Sequence, residues 1–485
     1  MANVLLIYPD PKTIHPRYPN SFLPVAAVLL KKGHKVTIID TQFEEYEDIH
    51  LWDFDIVGIS TLTGPQIKNA IFIASYVRKK APAMPLIWGG VHPSLMPEQT
   101  AMNQYADIVV RGEGEETLCE LLEKLDKKED LESVKGISFK RNGNIISTPD
   151  RDFINIDELP LLPYHLIKKS REYSNIQRGI AYMQTSRGCP HNCGFCYNKV
   201  VHKNVWRKMS AERVIREIKY IKEVFNPDVI SLIDDEFFVN KKRVLEICNA
   251  ILTSGLSIRW GGSCRFDYAV QYDKDFMDLL KKSGINGFSF GAESGSEQIL
   301  KMIDKNITVD QMKIVINKLR EENIPVSVNF MAGFPGETKE DIFKTFSVID
   351  ELTGINPNLM VNSISIYTPF PSTPLFDMAI KNGFRSPASL EEWGNYMYND
   401  ANNLPWLSGE IKKLLKTISL LTECEFNRFG KFKSIGLFKG NIFKRYAYEI
   451  LSLSAKLRWK YKFFGFPIEW RMLDAYLRLT NSGER

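Results

Sequence analysis

Cys189, Cys193 and Cys196 stand in one short loop, Thr185-Ser-Arg-Gly-Cys-Pro-His-Asn-Cys-Gly-Phe-Cys-Tyr197, with the spacing C-x3-C-x2-C. Three thiolates this close can hold three corners of an iron–sulfur cubane. A [4Fe–4S] cluster ordinarily takes four Cys ligands, and no fourth cysteine stands nearby, so one iron is left open. An open metal position marks chemistry rather than structure. A zinc knuckle is the other reading. It asks for a fourth Cys or His at short spacing, and His191 inside the loop points to no second pair.

With Phe195 before the last cysteine, the loop resembles the signature of the radical S-adenosylmethionine (SAM) superfamily. That resemblance implies that the open iron chelates the amino and carboxylate groups of SAM. It further implies that an electron from the reduced cluster cleaves SAM to a 5′-deoxyadenosyl radical. Oxygen sensitivity and an electron donor such as flavodoxin or ferredoxin follow from the same resemblance.

Six strand–helix units surround the loop. Apolar runs at 181–185, 229–233, 257–261, 287–290, 325–331 and 361–367 read as strands, separated by amphipathic helices such as 241–252 and 309–322. Six units suit a partial, TIM-like (β/α)6 barrel with its site at the carboxyl ends of the strands. Those ends carry Asp234-Asp235-Glu236, Gly262-Ser-Cys-Arg265, Gly291-Ala-Glu-Ser-Gly-Ser296, Met331-Ala-Gly-Phe-Pro-Gly-Glu-Thr338 and 367–375. Resemblance to the superfamily over 181–375 assigns Asp234, Asp235 and Glu236 to the SAM ammonium, for which carboxylates are the right chemistry. It assigns Arg265 to the SAM carboxylate, Glu293 and Ser294 to the ribose, and Gly333 and Gly336 to a backbone clamp on adenine. Helix capping by Asp234 or Asp235 and a structural ion pair at Arg265 are the alternatives.

Residues 1–130 alternate short buried strands (4–8, 35–39, 55–60, 86–88, 107–110) with helical patterns (23–32, 66–80, 95–103, 115–127). This order implies a doubly wound, Rossmann-like parallel sheet whose ligand sits at the carboxyl ends of the strands. No G-x-G-x-x-G opens the first helix, so a dinucleotide is disfavoured. Instead strand–GG-x-H-P–helix–strand–R-G-E-G-E resembles the cobalamin-binding domain that precedes many radical SAM cores. The resemblance nominates Ser60, Thr61, Gly89, Gly90, His92, Gly112, Glu113 and Gly114 as cobalamin contacts. The D-x-H-x-x-G of histidine-ligated cobalamin domains is absent, with His15 five residues beyond Asp10. No protein histidine on cobalt is therefore expected. A hairpin with an Asn142-Gly143 type I′ turn lies in the connector 131–175, the core spans 176–375, and 376–485 is a helical region expected to cover the open side of the barrel.

Composition is that of an ordinary folded protein, 44% hydrophobic and 25% charged, and 485 residues suffice for two or three domains. No charged leader or long apolar run is seen, and seven mostly scattered cysteines suit a reducing compartment, so a cytoplasmic location is expected. Residues 431–485 carry twelve Lys/Arg against four Asp/Glu, interleaved with aromatics including Trp459, Phe464 and Trp470. Such a tail suits either a packed helical subdomain or a membrane-surface contact, and it suggests a hydrophobic or anionic small-molecule substrate. Nucleic acid is disfavoured, since no binding module is recognised. The pairing of domains resembles the cobalamin-dependent (class B) radical SAM enzymes, which implies methylation of an unactivated carbon of a small-molecule or lipid-like substrate. No general base is required, and no catalytic side chain is nominated. Cyclisation or rearrangement, as in the anaerobic magnesium-protoporphyrin ester cyclase, and a non-catalytic cobalamin or Fe–S sensor or carrier are the alternatives.

Overall fold

The computed structural model describes residues 1–13, 16–362, 364–425 and 452–465. The apolar runs near the N-terminus form five parallel strands, β1 Asn3–Tyr8, β2 Lys35–Asp40, β3 Ile56–Ser60, β4 Leu86–Gly89 and β5 Ile108–Val110. Their order is β2-β1-β3-β4-β5, so the direction of winding reverses between β1 and β3. Both faces are covered, as parallel sheets require. Val4, Leu6 and Tyr8 pack towards helices Phe22–Lys31 and Glu115–Lys127, whereas Leu5 and Ile7 pack towards helix Pro65–Lys80. The doubly wound expectation holds. The helix expected over 95–103 is instead two, Val91–Leu95 and Pro97–Met102, because Pro97 lacks the N–H that would continue the first and is well suited to start the second.

The hairpin strands β6 Ile137–Arg141 and β7 Asn144–Ser147 flank Asn142 and Gly143, both at positive φ (50° and 80°), as a type I′ turn demands. Strand β6 pairs antiparallel with β5, Val110 opposite Ile137, so this hairpin is the edge of the first sheet and not a free connector.

The second sheet contains β8 Ile180–Met183; the short β9 Ser186–Arg187 and β10 Arg207–Lys208 form a separate ladder. It continues with β11 Val229–Leu232, β12 Arg259–Cys264, β13 Ile285–Glu293, β14 Val326–Ala332, β15 Met360–Val361 and β16 Ser365–Ile366. The parallel order β8-β11-β12-β13-β14-β15, with β16 also on β14, is the expected six-unit open barrel. Several boundaries differ from expectation, β13 extending beyond 287–290 at both ends. Strand β8 stops at Met183 because Thr185 and Ser186 are drawn sideways to Asp234. Strand β12 runs three residues later, with a register shift at Trp260/Gly261, and the sixth strand is split in two.

Outward-facing Trp260, Phe290, Val328 and Phe330 are buried beneath the helices, while inward positions on β11 to β14 carry mostly Ser and Gly, with Val229, Asn329 and Met331 among them. Residues after the barrel take three directions. Ala379, Phe384 and Trp393 join the core under helix Pro65–Lys80 and reach back to the first sheet, whereas Leu404, Trp406 and Leu415 pack on Gly333 and Tyr367 along the β14–β16 edge of the barrel. Trp459 and Phe464 pack on Phe346, and Asp350 accepts from Trp459 Nε1 (2.6 Å) and Lys462 Nζ (2.7 Å). Over 452–465 the aromatic tail is thus partly a packing surface; 431–451 and 466–485, including Trp470, lie outside the described residues. Among the described residues no helix is long and apolar enough to cross a membrane.

Phe290 is fully buried and stacks on Phe266 with ring centroids 4.5 Å apart. Replacing Phe290 with Ala should destabilise the protein by about 3–5 kcal/mol, read as a lower urea midpoint at unchanged slope.

Candidate active site

The cysteine loop is held by buried polar contacts with the strand end opposite. Asp234 accepts from Thr185 N, Thr185 Oγ1 and Ser186 Oγ, each at 2.6 Å, and Arg243 donates to Thr185 O and Oγ1 at 2.9 and 2.8 Å. Asp235 accepts from Gly188 N at 2.8 Å. Gly188 has φ of 83°, and a Cβ there would lie 2.1 Å from Val205 O, so only glycine fits. At the far end, Gly194 N donates to Ile303 O and Leu375 N to Gly194 O. The loop is therefore held at both ends by the protein's own contacts.

Cys193 is buried, Cys189 and Cys196 half-buried, and none is disulfide-bonded. Burial pushes the Cys189 and Cys196 thiols up to about 11 and about 12, as it pushes the packed Cys248 thiol up to about 11; a metal would take the loop thiols as thiolates. Arg265 Nη1 lies 3.7 Å from Cys193 Sγ, a donor aimed at a ligand sulfur. His191, the feature that suggested zinc, has Nε2 at 2.6 Å from Tyr268 OH. Three thiols in one short loop, one of them with a cationic contact, suit an iron–sulfur cluster with one open iron, and among the described residues no three ligating groups converge as a single-ion site would require.

The expected SAM residues divide sharply. Asp234 has both oxygens on the loop and Asp235 spends Oδ2 on it, so the Glu236 carboxylate is the one of the trio that holds no part of the loop. That carboxylate has one hydrogen-bond partner among the described residues, Phe238 N at 3.0 Å, and burial pushes its pKa up to about 8 against the pull of that bond and of Arg265 and Lys305. Arg265 is not free to grip a carboxylate. Asp267 accepts from its Nε (2.9 Å) and Nη2 (3.3 Å), and Nη2 also donates to Lys305 O. Ser294 is likewise engaged, with Oγ 3.3 Å from Thr345 Oγ1 and accepting from Ser296 N. Glu293 has φ of 63°, outside the ordinary range for a non-glycine residue, and pairs with buried Lys305 at 2.7 Å. Such local strain is characteristic of functional positions. Gly333 is turned inward: its N–H donates to Glu337, its carbonyl accepts from Trp406 Nε1 at 3.0 Å. Gly336, with nothing within 4 Å of a Cβ, stays open to a ligand.

Facing the loop is a cleft of about 320 Å³ at the carboxyl ends of β1, β3, β4 and β5. Ser60, Gly89, Gly90, Gly112, Glu113 and Gly114 line it from the first sheet, and Tyr182, Gln184, Arg187 and His202 from the barrel. Thr61 and His92 do not. Thr61 is buried in the loop between β3 and helix Pro65–Lys80, with its N–H on Gly89 O and its carbonyl accepting from His92 N. The His92 ring points the other way, with Nδ1 3.1 Å from Thr63 Oγ1 and its face against Trp393, and burial lowers its pKa to about 3. It is a neutral packing residue.

Glu113 also departs from expectation. It lies on the cleft, yet both oxygens are bound: Arg187 Nη1 at 2.8 Å, Arg207 Nη2 at 2.8 Å and Arg207 Nη1 at 2.7 Å. Arg187 also pairs with Glu115 at 2.8 Å. Arg187 stands two residues before Cys189, so this buried cluster ties the glycine-rich loop of the first sheet to the cysteine loop. Sequence reading missed Arg187, Arg207, Lys305 and His202. The pattern R-G-E-G-E-E had flagged only the acidic half of the contact.

Two family matches coincide with these two halves: the B12 binding domain over residues 17–122 and the radical SAM superfamily over 183–349. An uncharacterised methyltransferase of Pyrococcus horikoshii is 32% identical over 396 residues, 79% of this chain and 84% of its own length. The chain belongs to the B12-binding radical SAM enzymes. Its cofactors are accordingly a [4Fe–4S] cluster, SAM and cobalamin. The anaerobic magnesium-protoporphyrin IX monomethyl ester cyclase of Synechocystis is 27% identical over 394 residues, 78% of this chain and 77% of the cyclase. In fold, the chain is similar to the cobalamin-dependent radical SAM enzyme OxsB, solved with aqua-cobalamin and SAM bound. The TM-score is 0.75 at 20% identity, covering 99% of this chain and 75% of OxsB.

Burial raises the Glu113 pKa, but the hydrogen bond from Arg207 and the charges of Arg187 and Arg207 outweigh it, giving about 2 against an ordinary 4.5. A depressed carboxylate stabilises above its unfolded pKa and loses that stabilisation as pH falls through the folded value. The contribution, on the order of 3 kcal/mol, should be complete above about pH 4.5 and vanish towards pH 2. Scanning fluorimetry across this window should show a steeper acid loss in the parent than in Glu113→Gln.

Proposed function

We propose that this enzyme methylates a carbon of a small molecule, with the cleft as the methyl-carrier site and the cysteine loop as the radical site. The observation that carries the reading is the Glu113–Arg187–Arg207 cluster, which joins the lip of the cleft to the cysteine loop. Two cofactor sites so joined serve a reaction that uses both on one substrate. When bound, the cluster supplies the electron that cleaves SAM and cobalamin supplies a transferable methyl group. The chain's own residues position and enclose. Cys189, Cys193 and Cys196 would ligate the cluster, and Arg265 would donate to the sulfur of Cys193. Glu236 would receive the SAM ammonium; a cation there favours its ionised form. Glu293, held by Lys305, would meet the ribose, and Gly336 the adenine. Ser60, Gly89, Gly90, Gly112 and Gly114 would border cobalamin.

Methylation is supported by the methyltransferase relative; the cyclase relative supports cyclisation or rearrangement as the second reading. The products separate them. After anaerobic reconstitution with SAM and reductant, methylation yields S-adenosylhomocysteine together with deoxyadenosine, whereas cyclisation yields deoxyadenosine without it. Glu236→Gln should weaken SAM binding at least about tenfold, or about 1.4 kcal/mol, by equilibrium dialysis.

Reduction by flavodoxin or ferredoxin and peripheral membrane contact through 431–485 belong to the same proposal. Exposed Tyr461 and Phe463 beside Lys460 support the second. Flotation with anionic liposomes should fall on deleting 431–485; unchanged flotation would remove this part of the reading.

A further inference from the structure

The interior of a closed (β/α) barrel is ordinarily filled by bulky branched side chains. Here small and hydroxylated positions replace them in the middle of the barrel, and the apolar lining comes chiefly from Ile180, Val229, Pro325, Val326 and Met360 at its amino-terminal end. Ser231 on β11, Ser263 on β12, Ser289 on β13 and Ser327 on β14 face a lumen of about 490 Å³, joined by Asn286. Between them Gly261 and Gly287 are obligatory. A Cβ on Gly261 would lie 2.7 Å from Gly287 O, and one on Gly287 would lie 2.9 Å from Pro325 O. Close approach of the strands therefore leaves no side chain to fill the space.

The hydroxyls are not idle packing. Ser289 Oγ accepts from Asn329 Nδ2 at 3.3 Å, and Ser327 Oγ is 3.5 Å from Phe288 O. Ser231, Ser263 and Asn286 line the lumen with no side-chain partner among the described residues. No Lys or Arg among the described residues lines it, and its one carboxylate, Asp234, already accepts three hydrogen bonds from the cysteine loop. An anionic group entering here would meet Asp234 without a counter-charge. A hydrocarbon would strip water from three polar side chains without replacing its hydrogen bonds, at about 1–3 kcal/mol each. A neutral group with hydroxyls or amides suffers neither penalty. The lumen also adjoins the chemistry, since Ile233, 37% exposed, lines both it and the cleft.

We infer that the lumen binds the substrate through an uncharged, hydrogen-bonding moiety, hydroxylated or amide-bearing, held by Ser231, Ser263 and Asn286. This rests on the barrel being the radical site. It departs from the hydrophobic or anionic substrate suggested by the composition of the tail.

The test uses the full-length enzyme reconstituted with cluster, cobalamin and SAM. The probes are three fractions of a cell extract: neutral polar (unretained by both ion exchangers), anionic (retained by the anion exchanger) and solvent-extracted. The neutral fraction should raise deoxyadenosine formation at least tenfold over the reaction without extract. Ser231→Ala with Ser263→Ala should lower that stimulation at least tenfold at equal iron content. These truncations add no bulk, and Ser263→Thr, which keeps a hydroxyl, should recover part of it. Stimulation confined to the anionic or solvent-extracted fraction, or stimulation undiminished by the serine substitutions, would overturn the inference. No deoxyadenosine under any condition, even without extract, would instead overturn the radical reading on which it rests.

Discussion

The structure turns on a carboxylate shared between two guanidiniums. Glu113 belongs to the first sheet; Arg187 and Arg207 belong to the barrel, 74 and 94 residues further along. All three are largely buried, and a buried charge is tolerable only when its partners and hydrogen bonds are nearly complete. Such a cluster adds little net stability over an apolar contact of the same shape, but it is intolerant of misalignment. Together with Trp393 packed under helix Pro65–Lys80, it holds the two domains at one register, with the glycine-rich cleft against the cysteine loop.

A second buried polar set does for the loop what the first does for the domains. Asp234 takes three donors from Thr185 and Ser186, and Arg243 closes the network from the other side. Deflection of the chain at Thr185 ends β8 early and aims the cysteines over the barrel. Lumen and cleft then meet at Ile233. The small or hydroxylated lining in the middle of the barrel keeps room where a filled barrel would have none.

Much of this was legible in the sequence, and the exceptions have physical causes. Buried parallel strands read as apolar runs, and Asn142-Gly143 can hardly be anything but a tight turn. The cysteine spacing announces its own chemistry. Strand β12 was displaced because Gly261 and Gly262 interrupt the apolar signal, and the nine residues of β13 were truncated because its inward face is Gly and Ser. Roles were harder to read than places. Asp234, Asp235 and Glu236 are adjacent carboxylates, yet two are engaged by donors some 47 to 49 residues away. His92 lies in a ligand-like motif, but its ring faces Trp393, from a helix whose position no local pattern encodes. Fold follows from local periodicity; which polar groups remain free follows from long-range pairing.

The central claim is that the Glu113 cluster holds the two cofactor sites against each other. Its most direct test is electron paramagnetic resonance of the reconstituted enzyme with cob(II)alamin and the reduced cluster both present. In the parent, the cluster should speed the spin relaxation of the cobalt signal, and Glu113→Gln should weaken that effect while both signals persist. Cobalt and cluster signals that relax independently in the parent, or an interaction unchanged in Glu113→Gln, would contradict the account.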